Sequence, residues 1–390
     1  MKPSSPKARL IEGMKAVPSA SWDALANPDG APFNPFVSHA FLSALEDSGS
    51  ATARTGWQPA HILIEDAGKL TGAAPVYVKN HSYGEYVFDH GWAEAFERAG
   101  GQYYPKLQVS VPFTPATGPR LLTGGDAAAR KPLAQALMLV TQQLEASSVH
   151  VTFAQPEEAE ALAALGFLQR HDQQFHWHNQ SYANFGEFLG ALSSIKRKNL
   201  RRERNEALKH DITVEWLTGS DLKETHWDAF FAFYMDTGSR KWGSPYLTRK
   251  FFSLLSERMA DRVLLIMAKR NGRYIAGALN LIGSDTLFGR NWGANEHHPF
   301  LHFELCYYQA IDFAIARGLK RVEAGAQGEH KLARGYLPVI THSAHYIADG
   351  GLRRAIADYL ARERAYVEAA GNELAALAPF RKDLAEQEQD

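Results

Sequence analysis

Apolar and polar positions alternate in two stretches of the chain that share one design. From about 58 to 79, His61-Ile62-Leu63-Ile64-Glu65 meets Asp66-Ala67-Gly68 and resumes as Leu70 to Val78, the pattern of a β-hairpin. Residues 262–282 repeat it, with Val263 to Ala268, a turn at Asn271-Gly272 and a return through Ile275 to Leu281. Both return strands carry a Gly-(Lys/Arg) step and then a Gly-Ala pair, at Gly68-Lys69 with Gly72-Ala73 and at Gly272-Arg273 with Gly277-Ala278. Each hairpin is followed by an apolar, alanine-containing helix and a short strand, 133–145 then 149–153 in the first half and 303–317 then 321–324 in the second. A period this long, with an insertion between about 80 and 120 in one copy, predicts a duplicated domain and not a solenoid.

The remaining segments fall around these copies. Residues 1–18, with Pro3, Pro6 and Pro18 among small and charged residues, read as a flexible tail leading into a helix that Ser21 can cap. Residues 193–204 form the start of a capped amphipathic helix, running to about 210, with six cations and one anion. A further helix is expected over 351–378, where Leu352, Ile356, Tyr359 and Leu360 share one face. The expected division is therefore a tail (1–18), a first domain (19–175), a second domain (176–350) containing the basic helix 193–210, and a C-terminal helical segment (351–390) packing on the second domain.

Composition narrows the function classes. With 390 residues and 45% hydrophobic content, two ordinary domains are the natural outcome. Lys+Arg at 42 against Asp+Glu at 43 leave a net charge of -1, so any polyanion must be held by a local patch. The single cysteine, Cys306, excludes an internal disulfide framework and suits a reducing compartment. Residues 1–13 carry cations but no apolar stretch behind them, and nowhere is there a run of about 18 apolar residues. A cytoplasmic protein without membrane insertion is the expectation, with the oligomeric state open.

Several long strings then carry a family resemblance: 83–89 (Tyr83 to Asp89), 103–107 (Tyr103 to Leu107), 111–120 (Val111 to Arg120), 301–309 (Leu301 to Gln309) and 325–331 (Gly325 to Lys331). Over about residues 20 to 370 the chain resembles the FemAB-like family of predicted N-acyltransferases, within the GNAT acetyltransferase superfamily. The resemblance implies an α/β (α+β) fold of tandem GNAT-like domains, each a mixed central sheet flanked by helices. It also implies transfer of an acyl or aminoacyl group from an activated donor, acyl-CoA or aminoacyl-tRNA, to an amine acceptor such as a cell-wall precursor. The alternative is a recognition module that binds such a precursor, or another anionic glycan, without turnover. Acetyl-CoA-binding domains of the superfamily usually place a glycine-bearing loop before the central helix, and the corresponding Glu296 to His302 has no glycine. The Fem ligases commonly carry a long helical arm for tRNA, whereas this chain has only the basic helix.

Amide formation needs a base, a stabiliser of the oxyanion and a proton for the leaving group. The segment 325–336 offers all three types: Glu329 and His330 as base, Lys331 and Arg334 as charge stabilisers, and Tyr336 as acid. Lys331 and Tyr336 also match the family's lysine and tyrosine in order, and Glu304 joins the catalytic candidates. His302 and Glu304, near His297 and His298, lack metal-ligand spacing and read as a polar cluster facing substrate, so no metal and no covalently bound cofactor are expected. His176 and His178 share one face of a strand and are expected to pack beside Trp177. The stiff, proline-rich stretch 112–120 with Thr117 and Arg120, together with Tyr83, Glu85 and Lys106, forms a candidate groove for an acceptor of sugar or peptide character, or else a structural plug. Arg290, Trp292 and the helix cations Lys196, Arg197 and Arg201 complete the candidates for substrate binding, the last three either for a phosphate-rich ligand or as a solvated face.

Overall fold

The computed structural model describes residues 6–241, 245–325 and 328–381, the side chains of 239–241 and 329 excepted. The chain forms two compact units. Unit 1 comprises Met1–Asp172, Tyr246–Phe251 and Ile340–Glu368; unit 2 comprises Gln173–Pro245, Phe252–Val339 and Ala369–Asp390. In chain order the strands are β1 (Lys7–Ile11), β2 (Trp57–Pro59), β3 (His61–Asp66), β4 (Lys69–Ala74), β5 (Val76–Lys79), β6 (Lys106–Val109), β7 (Ser148–Ala154), β8 (Leu168–His178), β9 (Ile212–Leu217), β10 (Val263–Arg270), β11 (Arg273–Ile282), β12 (Thr286–Ala294), β13 (Arg321–Glu323) and β14 (Leu337–Ile347). The helices are α1 (Ser19–Ala26), α2 (His39–Asp47), α3 (His90–Arg98), α4 (Arg130–Gln143), α5 (Pro156–Ala163), α6 (Phe185–Ala191), α7 (Ser194–Ala207), α8 (Glu224–Lys241), α9 (Arg249–Met259), α10 (Leu301–Phe303), α11 (Gln309–Ala316) and α12 (Gly350–Ala376).

In unit 1 the strands run β1-β3-β4 and β2-β5-β6-β7-β14; in unit 2 they run β8-β13-β12-β11-β10-β9. Each unit contains one parallel pair spanned by a helix, β6 with β7 around α4 and β12 with β13 around α10 and α11. In each, an antiparallel strand closes the far side of that pair, β14 against β7 and β8 against β13. The two hairpins also match in detail. Ala67-Gly68 and Asn271-Gly272 both have positive φ, the two-residue turn whose twist suits a hairpin. In both, the register slips two pairs from the turn, leaving Thr71 and Ile275 as the extra residues.

That shared bulge corrects the glycine alignment. Counted from the turn, Gly72 corresponds to Ala276, and Gly277 to Ala73. One residue of offset reverses the face: a side chain at Gly72 would meet Leu133 of α4, while one at Gly277 would meet Phe230 of α8. The first return strand is also broken, because Pro75 has no N–H to give a ladder, and β4 and β5 end in different sheets.

Two boundaries differ from the sequence expectation. The stretch taken as a tail contributes β1, which pairs with β3 from Lys7↔Glu65 to Ile11↔His61, and Met14 is fully buried. The following helix begins at Ser19 with Pro18 at its N-cap, one turn earlier than a Ser21 cap implies. The C-terminal helix was expected on the second domain. The segment is instead divided: Leu352, Ile356 and Leu360 cluster with Trp92, Tyr103 and Ile347 in unit 1, because the insertion of the first copy supplies the aromatic surface that this stripe covers, while residues 369–381 belong to unit 2, where Leu374 and Phe380 pack against the core. His176 and Trp177 are buried on β8, while His178, on the face of His176, is exposed at the end of the strand.

Unit 2 is built on a core of Leu264, Ile266, Leu305, Tyr308, Ile311 and Val322 among others, which fixes the central helix against the sheet. The closest approach is at Gly293 of β12, where an added Cβ would lie 2.3 Å from the Phe233 carbonyl oxygen of α8. Backbone cannot yield there as a flexible side chain does. Gly293→Ala is expected to destabilise unit 2 by about 1–3 kcal/mol or more, read as a lower urea midpoint at unchanged m-value.

Candidate functional site

The site in unit 2 begins with a pairing that stops early. β12 pairs in parallel with β13 only over Thr286–Phe288 against Arg321–Glu323. Beyond that point β12 continues to Ala294 beside β11, while the other chain turns away through Ala324 and Gly325, the latter at φ 79. On its other edge β12 shifts register against β11 between Leu279 and Asn280, which leaves Arg290 as an extra residue opposite the shift. A chamber of about 90 Å³ fills the gap, lined by Asn280, Arg290, Trp292, His302, Cys306 and Tyr307 among others.

A larger cleft of about 560 Å³ adjoins it and shares Trp292 and His302 as walls. Their rings meet edge to face at 5.2 Å. The outer cleft is walled by Asn295, His297, His298, Phe300 and Phe303, and the Glu296 carboxylate at its wall is held by Arg270 (2.8 Å) and His298 (2.9 Å). Among the described residues, no Lys or Arg side chain lines this cleft.

The helix that bounds both spaces is not uniform. It starts after Phe300, which adopts a left-handed conformation (φ 62), and between α10 and α11 it widens into a π turn over Glu304–Tyr308. Such turns are short and recur at functional sites because the extra residue re-aims its neighbours. Here the re-aimed residues are Cys306 and Tyr307, which face the chamber, while Glu304 and Tyr308 are held by α7.

Glu304 was expected to take part in catalysis. It is fully buried, accepts Arg204 Nε at 3.1 Å, Arg204 Nη2 at 2.8 Å and Gln309 Nε2 at 2.8 Å, and so anchors the π turn. Glu203 likewise accepts from Tyr308 and from Arg334 Nη2 at 2.8 Å. Arg334, a substrate-binding candidate, also donates to the His330 carbonyl at 2.7 Å and lies 3.5 Å from the Phe303 ring centroid. The basic helix therefore turns Glu203 and Arg204 inward and leaves Lys198, Arg201 and Arg202 exposed, with Lys196 and Arg197 half-buried. Arg197 donates weakly to the Leu192 carbonyl at 3.5 Å.

The segment after β13 is ordered around Lys331. Its side chain is buried and its Nζ donates to the Gly325 carbonyl at 2.7 Å, tying down the turn at the mouth of the strand gap. Burial pulls its ammonium down to about 8. His330 is exposed, and its Nε2 lies within hydrogen-bond distance of the Tyr307 hydroxyl, 2.9 Å away. Burial first, then Arg334 and Lys331, lowers its imidazole below the ordinary value. Tyr336, the expected acid, is fully enclosed: its hydroxyl points to the Tyr307 carbonyl at 3.4 Å, and burial pushes it well above the usual phenol range. Like Lys331 and His330, it lines neither cavity. The side chain of Glu329 lies outside the described residues.

Unit 1 holds a different kind of polar cluster. Lys106 is completely buried and donates to Ser82 (2.8 Å), Glu85 (2.7 Å) and Asp89 (2.5 Å). Tyr103 donates to Asp89 at 2.7 Å, and His150 meets Ser148 and His345 at 2.7 Å each. Lys79, also buried, sits 3.6 Å over the Trp57 ring, donates to the Tyr83 carbonyl at 3.2 Å, and lies 3.7 Å from Glu85. Glu85 and Lys106 were expected to line a groove. They instead clamp the insertion to the sheet, since charges this deep persist only when paired. Arg120 is equally enclosed, spending its guanidinium on the carbonyls of Thr152, Ala116 and Pro119. Tyr83 is 61% exposed and Thr117 half-buried.

Similarity to known proteins follows this geometry. The FemAB-like family, described as peptidoglycan biosynthesis/recognition, matches residues 13–382. The chain belongs to the FemAB-like family. No curated protein matches the FemAB-like chain in sequence. Among solved structures it is similar to FemX, at 12% identity and a TM-score of 0.55, covering 90% of this chain and 100% of that one. It is also similar to L-PGS from Bacillus licheniformis, at 10% identity and a TM-score of 0.50, covering 82% and 93% respectively. A tandem GNAT protein from the clavulanic acid biosynthesis pathway matches at 10% identity and a TM-score of 0.47, over 88% and 99%. The mixed α/β fold is shared with FemX. Among the described residues of this FemAB-like protein, no helix is long and apolar enough to cross a membrane.

The Lys79–Glu85 pair of unit 1 makes a pH prediction. Burial is the main cause for both groups, lowering Lys79 to about 7 and raising Glu85 to about 7. In the unfolded chain they titrate near about 10.4 and about 4.3. Between about pH 4.3 and 7 the folded state keeps a Glu85 proton that the unfolded chain has lost, so stability falls as pH rises. From about 7 to 10.4 the unfolded chain keeps a Lys79 proton that the folded state lacks, so stability rises again. Asp89, held low by Lys106 and His150 against the upward push of burial, and Lys106, held high by Glu85 and Asp89 against burial, do not titrate in this window. Because buried His150 and His345 add a rising slope below about pH 6.5, the pair is read against variants: in urea denaturation across pH 5–10 the wild type should lose stability relative to Glu85→Gln up to about pH 7, and gain stability relative to Lys79→Met above it.

Proposed function

We propose that this FemAB-like protein is an N-acyltransferase whose transfer site is the chamber between β12 and β13. The observation that carries the reading is the premature parting of those strands, which opens a polar chamber against a helix that presents Tyr307, Cys306 and His302. A chamber of about 90 Å³ has room for about three waters, which suits a small acyl or aminoacyl group. The activated end of the donor enters through the outer cleft. Its aromatic and histidine walls suit a flat or sugar-like portion of the donor. The acceptor is an amine, and the family's description supports a cell-wall precursor in that role. Lys331, buried at the turn that ends β13, supplies positive charge where the leaving group departs, and His330 accepts the proton.

The test is direct. Purified protein is incubated with acyl-CoA thioesters or with charged total tRNA, and with muropeptide precursors carrying a free amine. Mass spectrometry should find the acyl mass on that amine. Binding of the precursor without any transfer, from either donor class, would favour the recognition-module reading instead. Lys331→Met keeps most of the stem's packing while removing its charge. Turnover is expected to fall about 100- to 1,000-fold with little change in precursor binding.

A further inference from the structure

Tyr307 stands between the chamber and the exposed His330. It lines the chamber, is 4% exposed, and its hydroxyl meets His330 Nε2 at 2.9 Å. We infer that Tyr307 and His330 form a proton relay that carries the acceptor's proton from the chamber to solvent. This deepens the transferase reading and rests on it, adding Tyr307 as a catalytic residue that touches the attacking amine.

Each proton in the step is accounted for. The acceptor arrives as an ammonium. One of its protons passes to the Tyr307 oxygen as the Tyr307 proton passes to His330 Nε2, leaving a neutral amine, a neutral tyrosine and an imidazolium. The amine lone pair then forms the C–N bond at the donor carbonyl. The bond from that carbon to the leaving group breaks with its electron pair, and a second nitrogen proton goes with the leaving group. The imidazolium, being exposed, returns its proton to water. Tyr307 never ionises in this scheme. That matters because burial pushes its phenol well above the usual range, so a tyrosinate base is disfavoured while a hydroxyl that gives one proton as it takes another is not.

The surroundings favour a neutral, proton-accepting His330. Arg334 donates to its carbonyl, Lys331 follows it in the chain, and both cations lower its imidazole. The rings of Phe303 (5.5 Å), Tyr307 (5.7 Å) and, from the chamber side, His302 (6.5 Å) pack around it. Glu203, the nearest described carboxylate to Arg334, is committed to that guanidinium and to Tyr308. The π turn makes the relay possible. It lets two consecutive tyrosines serve separate partners, Tyr308 for Glu203 and Tyr307 for His330.

The experiment has a substrate-free arm and a turnover arm. Nitrogen-15 NMR of the ligand-free protein should find His330 as the Nδ1–H tautomer, with Nε2 accepting, and Tyr307→Phe should move it toward Nε2–H. An Nε2–H tautomer in the unaltered protein would overturn the relay. In the turnover arm, using the muropeptide acceptor and the donor that supports transfer, Tyr307→Phe and His330→Ala should each lower kcat about 100-fold or more with KM little changed. Added imidazole should restore activity to His330→Ala but not to Tyr307→Phe, a result that a structural role for His330 would not give. Wild-type transfer with unchanged turnover in both variants overturns the relay and leaves the transferase reading intact. No transfer by the wild type overturns that reading and the relay with it.

Discussion

Three residues of parallel pairing between β12 and β13 govern unit 2. Had the ladder continued, Gly289 to Ala294 would have been sealed by a neighbouring strand and no space would exist beside the central helix. Because it stops at Phe288 and Glu323, main-chain groups of β12 face a cavity in place of a partner. The helix above must then compensate. Its π turn, anchored by Arg204 on Glu304 and by Glu203 on Tyr308, keeps that surface polar and fixed while the apolar residues Leu305 and Ile311 hold the helix to the sheet. A charged bracket from α7 thus stabilises a widened turn that intrinsic helix preference would not maintain.

The same economy of charge appears in unit 1, for a different end. There Lys106, Glu85 and Asp89 hold the inserted segment onto the sheet from inside, where loss of one partner strands the others in a low-dielectric interior. The proline-rich stretch ending at Arg120 is pinned in a similar way by Glu158, which accepts from the main-chain N–H groups of Arg120 and Leu121. Both arrangements make rigid loops. Only Tyr83 among the expected groove residues is left prominently at the surface.

Local signals in the sequence were sufficient for the hairpins, for the basic helix and for the helix after the second hairpin, because each rests on periodicity and turn residues a few positions apart. His330 and Lys331 stand together because they are neighbours in sequence, so no long-range pairing was needed to place them side by side. Long-range pairings were not legible. Glu304 looks like a free acid until Arg204, a hundred residues earlier, is placed beside it, and Lys106 looks like a surface cation until Glu85 and Asp89 fold over it. Lys7 to Ile11 reads as a tail because a five-residue strand with alternating polarity is visible only once β3 is there to pair with it. Tyr307 was overlooked although adjacent tyrosines at 307 and 308 are a usable signal. On a regular helix neighbours point about 100° apart, so two tyrosines in a row imply either a deviation in the helix or separate duties.

The sheet of unit 1 is completed by β14, whose Ala344 pairs with Val151 of β7. The ribosome makes these two residues about 190 positions apart, so at roughly 5–20 residues per second the edge of β7 waits on the order of ten to forty seconds for its neighbour. Throughout that interval a strand of seven buried residues has no partner on one side. Nascent chains on a crowded polysome would meet one another's open edges before their own closing strand emerges. A chaperone that covers β7 until Ile347 is made would keep that edge from pairing with another chain.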